Sequence, residues 1–207
     1  MLVQQAKFDP AVTSFGVQET NSPVFASLIE IMSKERKWGI LDLGSARSAN
    51  LEMLSKFRCR LFIEDAHELA SALSGKAAED KAALVHWFEQ WAGGVSNESI
   101  DVVIAWDIFN YLDTELCKTF VELLMPLLKP GAYIYLSVYS QKEMPALPIR
   151  FTIIADDRLE YQPLSQATRP SPRFNQTDLR KRLPQFSIVK SVLLRNGMQE
   201  YLFKRSP

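Results

Sequence analysis

A chain of 207 residues with 47% hydrophobic and 23% charged residues has the composition of one soluble globular domain with a full core. Its 24 Lys and Arg balance its 24 Asp and Glu, so no net field draws it to a membrane surface or makes nucleic acid an expected partner. Two cysteines, two histidines and no CxxC exclude a disulfide framework and a histidine-rich metal centre, and no apolar run is long enough to span a membrane.

In chain order, residues 1–21 read as a polar, loosely docked arm. No basic stretch followed by an apolar one opens the chain, so a signal peptide is not expected and the default location is cytoplasmic. Asn21 or Ser22 then caps a helix with Pro23 in its first turn and Phe25, Leu28, Ile29 and Met32 on one face. Trp38 to Leu43 is an apolar run suited to a strand buried on both faces. Gly44 stops it, Ser45 to Asn50 is a small-residue turn, and Leu51, Met53, Leu54 and Phe57 recur at helical spacing. Strand, glycine turn and helix make the first half of a βαβ unit, where a ligand can meet backbone N–H groups.

A second strand, Cys59 to Asp65, ends in two carboxylates, Glu64 and Asp65. Asp65 lies about twenty residues past Gly44, where nucleotide-binding folds bond ribose hydroxyls; it could equally cap the helix over 66–74. Residues 76–91 admit two readings: one helix with Ala83, Trp87 and Trp91 on a face, or a short third strand over 83–88 with Glu89 at its end. Asp101 to Trp106 is a clear buried strand, followed by Asp107, Asn110 and Tyr111 and a helix from Asp113 or Thr114 to Leu128. Lys129-Pro130-Gly131 separates that helix from a strand over 132–138. The proline-rich segment 139–175 contains a hairpin turning at Asp156-Asp157. A helix over 177–183 and a final hairpin around Asn196-Gly197 complete the chain. The last third, 142–207, carries 12 basic and 6 acidic residues, which suits an anionic acceptor or simply a solvated helix face.

Asp42-Leu43-Gly44-Ser45-Ala46-Arg47-Ser48, Asp65, Ile100-Asp101-Val102-Val103 with Trp106 to Leu112, Leu128-Lys129-Pro130-Gly131 and the terminal hairpin occur in one order at fitting spacing. Together they resemble the class I S-adenosylmethionine-dependent methyltransferase family over residues 23–205. The resemblance implies an α/β, doubly wound, mostly parallel seven-stranded sheet of Rossmann-like type with a C-terminal antiparallel hairpin. It implies S-adenosyl-L-methionine as cofactor, held by Asp42, Gly44, Ser45, Ala46, Glu64, Asp65, Asp107 and Asn110, and by Glu89 if the third strand forms. Asp107 and Tyr111 are the candidate bases, and the acceptor is expected to be a small molecule. The whole chain, 1–207, is expected to be one such domain, with 139–175 as a lid. The glycine motif departs from the family's: Gly-Ser-Ala-Arg-Ser lacks the second and third glycines, and Arg47 could pair with a carboxylate or obstruct the cofactor. An inactive methyltransferase-like module binding a partner protein is the alternative.

Overall fold

A computed structural model describes residues 16–73 and 75–206; residues 1–15 of the expected arm, and Ser74 of the expected third helix, lie outside them. In chain order the elements are β1 (Gln18–Asn21), α1 (Pro23–Met32), β2 (Trp38–Asp42), α2 (Ser48–Leu54), β3 (Cys59–Ile63), α3 (Ala66–Ala72), α4 (Ala77–Ala92) and β4 (Ile100–Ile104). After a 3₁₀ turn at Ile108–Asn110 come α5 (Thr114–Leu124), β5 (Leu128–Tyr139), β6 (Glu143–Pro145), β7 (Arg150–Ala155), β8 (Arg158–Gln162) and β9 (Thr168–Pro170). The chain continues through α6 (Gln176–Arg182), β10 (Phe186–Leu193) and β11 (Met198–Arg205).

The central sheet runs β10-β11-β5-β4-β2-β3. β3, β2, β4 and β5 are parallel, and β11 is antiparallel to both β5 and β10. Every residue of β2 and β4 is buried, as continuous apolar runs covered on both faces require. The sheet is the doubly wound class expected, but it has six strands and not seven. Residues 83–88 do not form a strand: Leu84, Trp87 and Phe88 are buried on one face of the sixteen-residue α4. That spacing of three and four is the helical period, and a short apolar run cannot by itself reveal which period it belongs to. Glu89 consequently lies exposed on a helix and at no strand end. β3 is left as the edge of the sheet.

Two buried carboxylates tie the layers together. Asp101 accepts from the Gly39 N–H at 2.7 Å and pairs with Lys129 at 2.8 Å and Arg36 at 3.3 Å. Gly39 is required beside it, because a Cβ there would lie 1.9 Å from the Ser99 carbonyl oxygen. Glu200 on β11 accepts from Ser22 Oγ, from the Tyr135 hydroxyl at 2.7 Å and from the Val24 N–H at 3.3 Å. Ser22 therefore precedes α1 without capping it by its side chain; the Glu200 carboxylate meets the N–H of the first turn instead.

The segment after β5 builds a second layer. β7 and β8 form the hairpin expected at Asp156-Asp157, and β8 pairs on its far side with β1. Part of the expected loose arm is therefore a strand, held by residues 158–161. β6 and β9 form a small ribbon of their own. Among the described residues no helix is long and apolar enough to cross a membrane.

Candidate functional site

β2, β3 and β4 deliver Asp42, Asp65 and Asp107 to one edge of the sheet, the switch-point edge where ligands of open α/β folds bind. Each of the three carboxylates is held differently. Asp42 is buried, accepting from Trp106 Nε1 at 2.6 Å and from the Gly44 N–H at 2.9 Å. Burial raises its pKa to about 6 against the pull of those two bonds. A Cβ on Gly44 would stand 2.5 Å from that indole nitrogen, so the glycine admits Trp106. Ser45 is half-buried, Ala46 is exposed, and Arg47 is the uncapped residue preceding α2.

Asp65 both caps α3 and holds a histidine. Oδ1 accepts from the His67 N–H at 2.9 Å and contacts His67 Nδ1 at 2.8 Å, while Oδ2 accepts from Ser45 Oγ at 2.7 Å. Burial would raise its pKa, but the bonds from His67 and Ser45 outweigh burial and carry it down to about 2. Burial lowers the pKa of His67, and the bond to Asp65 together with its charge and that of Asp107 reverses this and raises it. Glu64 is half-buried beside them.

Asp107 lies beneath the segment expected to be a lid. Its Oδ2 accepts from the Tyr139 hydroxyl at 3.1 Å and from the Ile149 N–H at 3.2 Å, and burial raises its pKa to about 6. Asn110 is a brace: its amide donates to the Asp107 and Ser137 carbonyls, and its oxygen accepts from the Tyr139 N–H. Tyr111 shares its hydroxyl proton between the carbonyls of Pro145 at 3.0 Å and Leu147 at 2.8 Å. Burial pushes its ionisation far above the ordinary range, so in this arrangement the phenol ties down the segment around Pro145 and Leu147 and holds its proton.

The structure thus gathers Asp42, Gly44, Ser45, Asp65, Asp107 and Asn110 along one edge, and leaves Ala46 facing solvent and Glu89 on α4. Three important side chains were not singled out from the sequence. Asn50 bonds the backbone of β7 twice, donating to Phe151 O at 3.1 Å and accepting from Ile153 N at 2.8 Å. His67 follows Asp65 by two residues, and its Nε2 is buried without a hydrogen-bond partner. Trp106 is stacked between Phe25 and Phe151, with ring centroids at 5.9 and 4.8 Å. Its φ of +50° places a bulky residue in the left-handed region, the one sequence-silent sign that this position is special.

Asp107 offers a direct electrostatic test. Both of its donors meet one oxygen, so an asparagine amide oxygen can replace it. With the folded pKa near 6 and the ordinary value 3.8, the folded chain keeps a proton between those values that the unfolded chain has released. Stability of the wild type therefore falls as pH rises through that window and is flat above it. Asp107→Asn is expected to stabilise at neutral pH by about 1–3 kcal/mol, with the gain vanishing near pH 4. Urea denaturation at the two pH values measures this; a loss of stability at both would refute the assignment of strain to the ionised carboxylate.

No protein-family profile matches the chain, and no curated protein sequence does either. Solved structures do. A S-adenosylmethionine-dependent methyltransferase from Clostridium acetobutylicum superposes with a TM-score of 0.53 at 12% identity, covering 91% of this chain and 93% of that one. A protein from Sulfolobus solfataricus assigned to the type 11 methyltransferases gives 0.52 at 14% identity, covering 91% and 95%. At such identities the likeness establishes the fold, which is that of the class I S-adenosylmethionine-dependent methyltransferases.

The cofactor that this fold implies can be tried against the residues present. A cavity of about 460 Å³ lies between the end of β3 and α4, lined by Glu64, Asp65, Glu68, Trp87, Gln90 and Trp91. Carboxylates that accept from hydroxyls and indoles that cover a flat base suit an adenosine half. A methionine half placed against Gly44 would meet Trp106, whose indole occupies that space. Groups suited to an adenosine half line this cavity as it stands, whereas room against Gly44 for a methionine half would require the indole to turn away.

Proposed function

We propose that the chain is a S-adenosylmethionine-dependent methyltransferase acting on a small-molecule acceptor, with residues 139–175 as its lid. The observation that carries this reading is the pair of buried carboxylates, Asp42 and Asp107, both raised to about 6 at the switch-point edge. Buried acids cost stability, and folds retain them where a site needs them. Asp65, with Glu64 beside it, would hold the ribose, and the Gly44 backbone would receive the methionine moiety once Trp106 turns. Asn110 would keep Asp107 in place, and Asp107 would take the acceptor's proton where the acceptor is protonated. When bound, the sulfonium cofactor supplies the methyl group, and the protein supplies binding and alignment. As a lid, residues 139–175 would supply Tyr139, Ile149 and Phe151, which contact Asp107 and Trp106, as a lining suited to a small, mostly apolar acceptor.

A second reading, an inactive module that binds a protein partner, is favoured by one observation: the Phe25–Trp106–Phe151 stack fills the crevice. Calorimetric titration with S-adenosylhomocysteine separates the two. Saturable binding is expected between micromolar and sub-millimolar concentration. At one hundred times the dissociation constant it should stabilise the fold by about 2.7 kcal/mol. A flat titration on folded protein would refute the methyltransferase reading and leave the module.

A further inference from the structure

The missing third strand leaves β3 with one paired edge. β2 runs along one side, and among the described residues no strand pairs with the other. Such an edge carries backbone donors and acceptors ready to pair with another strand. Here each face beside it also carries a hollow. On the α2 side a largely apolar cavity of about 430 Å³ is lined by Leu51, Glu52, Ser55, Phe57, Cys59 and Leu61. On the opposite side lies the acidic and aromatic cavity that begins at Glu64. An occupant of this edge needs an extended segment with apolar side chains on one face and basic ones on the other.

The chain contains that segment in β3 itself. Residues 58–64 read Arg-Cys-Arg-Leu-Phe-Ile-Glu. The odd positions Cys59, Leu61 and Ile63 share the face of the apolar hollow, and the even positions Arg58, Arg60, Phe62 and Glu64 share the acidic one. We infer that β3 pairs antiparallel with β3 of a second copy about a two-fold axis at Leu61, joining two central sheets into one. In that register Leu61 faces its own copy and Cys59 faces Ile63. Arg60 lies opposite Phe62, and Arg58 opposite Glu64, twice by symmetry. The pairing is self-complementary in charge. It also extends a contact the single chain already makes, for the Arg60 guanidinium lies 4.8 Å from the Phe62 ring centroid. Shifting the register by one residue would put the apolar positions against the charged face. The acidic hollow is the cavity proposed above for adenosine, so this pairing shares Glu64 with that site; sedimentation reads the pairing alone, and cofactor titration reads the proposed function.

Sedimentation equilibrium of the full chain tests it, with a dimer of twice the 23.6 kDa chain mass as the expected result. Arg58→Glu and Glu64→Arg, each alone, set like charges opposite each other twice and should weaken dimerisation by about tenfold. The double reversal restores opposite charges and should recover the dimer. Arg58 is exposed and Glu64 half-buried, so circular dichroism should show each variant folded. Leu61→Glu places two carboxylates at the axis and should give monomer. A wild-type chain that stays monomeric up to its solubility limit would overturn the inference. So would a dimer indifferent to Arg58→Glu, Glu64→Arg and Leu61→Glu, since some other surface would then be making it.

Discussion

Trp106→Ala is expected to cost about 3–5 kcal/mol of stability and, in the same protein, to raise affinity for S-adenosylhomocysteine about tenfold. The two effects have one origin. The indole is 2% exposed and stacked on Phe151 at an interplanar angle of 11°. It also meets Phe25 and, edge-on, Tyr135, and bonds Asp42 through Nε1. Removing it leaves a cavity between two rings and leaves a buried carboxylate with one donor, Gly44 N–H. The emptied volume lies against Gly44, where the proposed function puts the cofactor's methionine half, so on that reading a ligand would no longer have to displace the side chain. Phe151→Ala is the control: it also loses a buried ring, yet it leaves the indole over Gly44 and should not gain affinity. Denaturation paired with calorimetry reads both quantities. A folded Trp106→Ala protein that binds no better than wild type would mean that the indole is structural only.

A comparable loss, about 3–5 kcal/mol, is expected for Asp101→Ala, with no change in affinity per folded molecule. Asp101 is buried, and three groups converge on it: the Gly39 N–H, Lys129 Nζ and the Arg36 guanidinium. The substitution leaves an amide without a partner inside β2 and deprives Lys129 of its counter-charge. Asp101→Asn keeps one acceptor for Gly39 and should lose less, which separates the hydrogen bond from the ion pairs. If the thermal midpoint of Asp101→Ala matches that of wild type, the carboxylate is not the clamp described here.

The two residues also show what the sequence makes legible. Asp101 and Lys129 belong to motifs whose presence suggested the fold, and their structural reason is contact with each other at 2.8 Å across β4 and β5. Strands buried on both faces, the Asn196-Gly197 hairpin and the hairpin at Asp156-Asp157 follow from local chemistry, and their positions agree with the sequence reading. Residues 76–91 were ambiguous because a run of six apolar-rich residues fits either period; packing of Trp87 against Phe120 decides for the helix. The site was legible in its acids and opaque in its aromatic filling. Asp65 and Asp107 stand at strand ends that periodicity can find. That Trp106 turns back over Gly44 depends on a left-handed backbone and on Phe25 and Phe151, which are distant in sequence. Asn50 likewise acts on β7 across about a hundred residues, a partnership no local window contains.

The bonds of Glu200 to Ser22 and Val24 span 178 and 176 residues of chain, and Lys190 Nζ reaches back to Pro23 O and Ser27 Oγ at 2.9 and 2.6 Å. On a ribosome α1 is made early, and its apolar face has no completed sheet to cover until β11 is threaded between β5 and β10. At about 5–20 residues per second that wait is on the order of ten to thirty seconds. Over that interval Phe25 can already meet Trp106 and Tyr135, but the first turn of α1 lacks the Glu200 carboxylate, so completion of β11 is the step that closes the start of the helix.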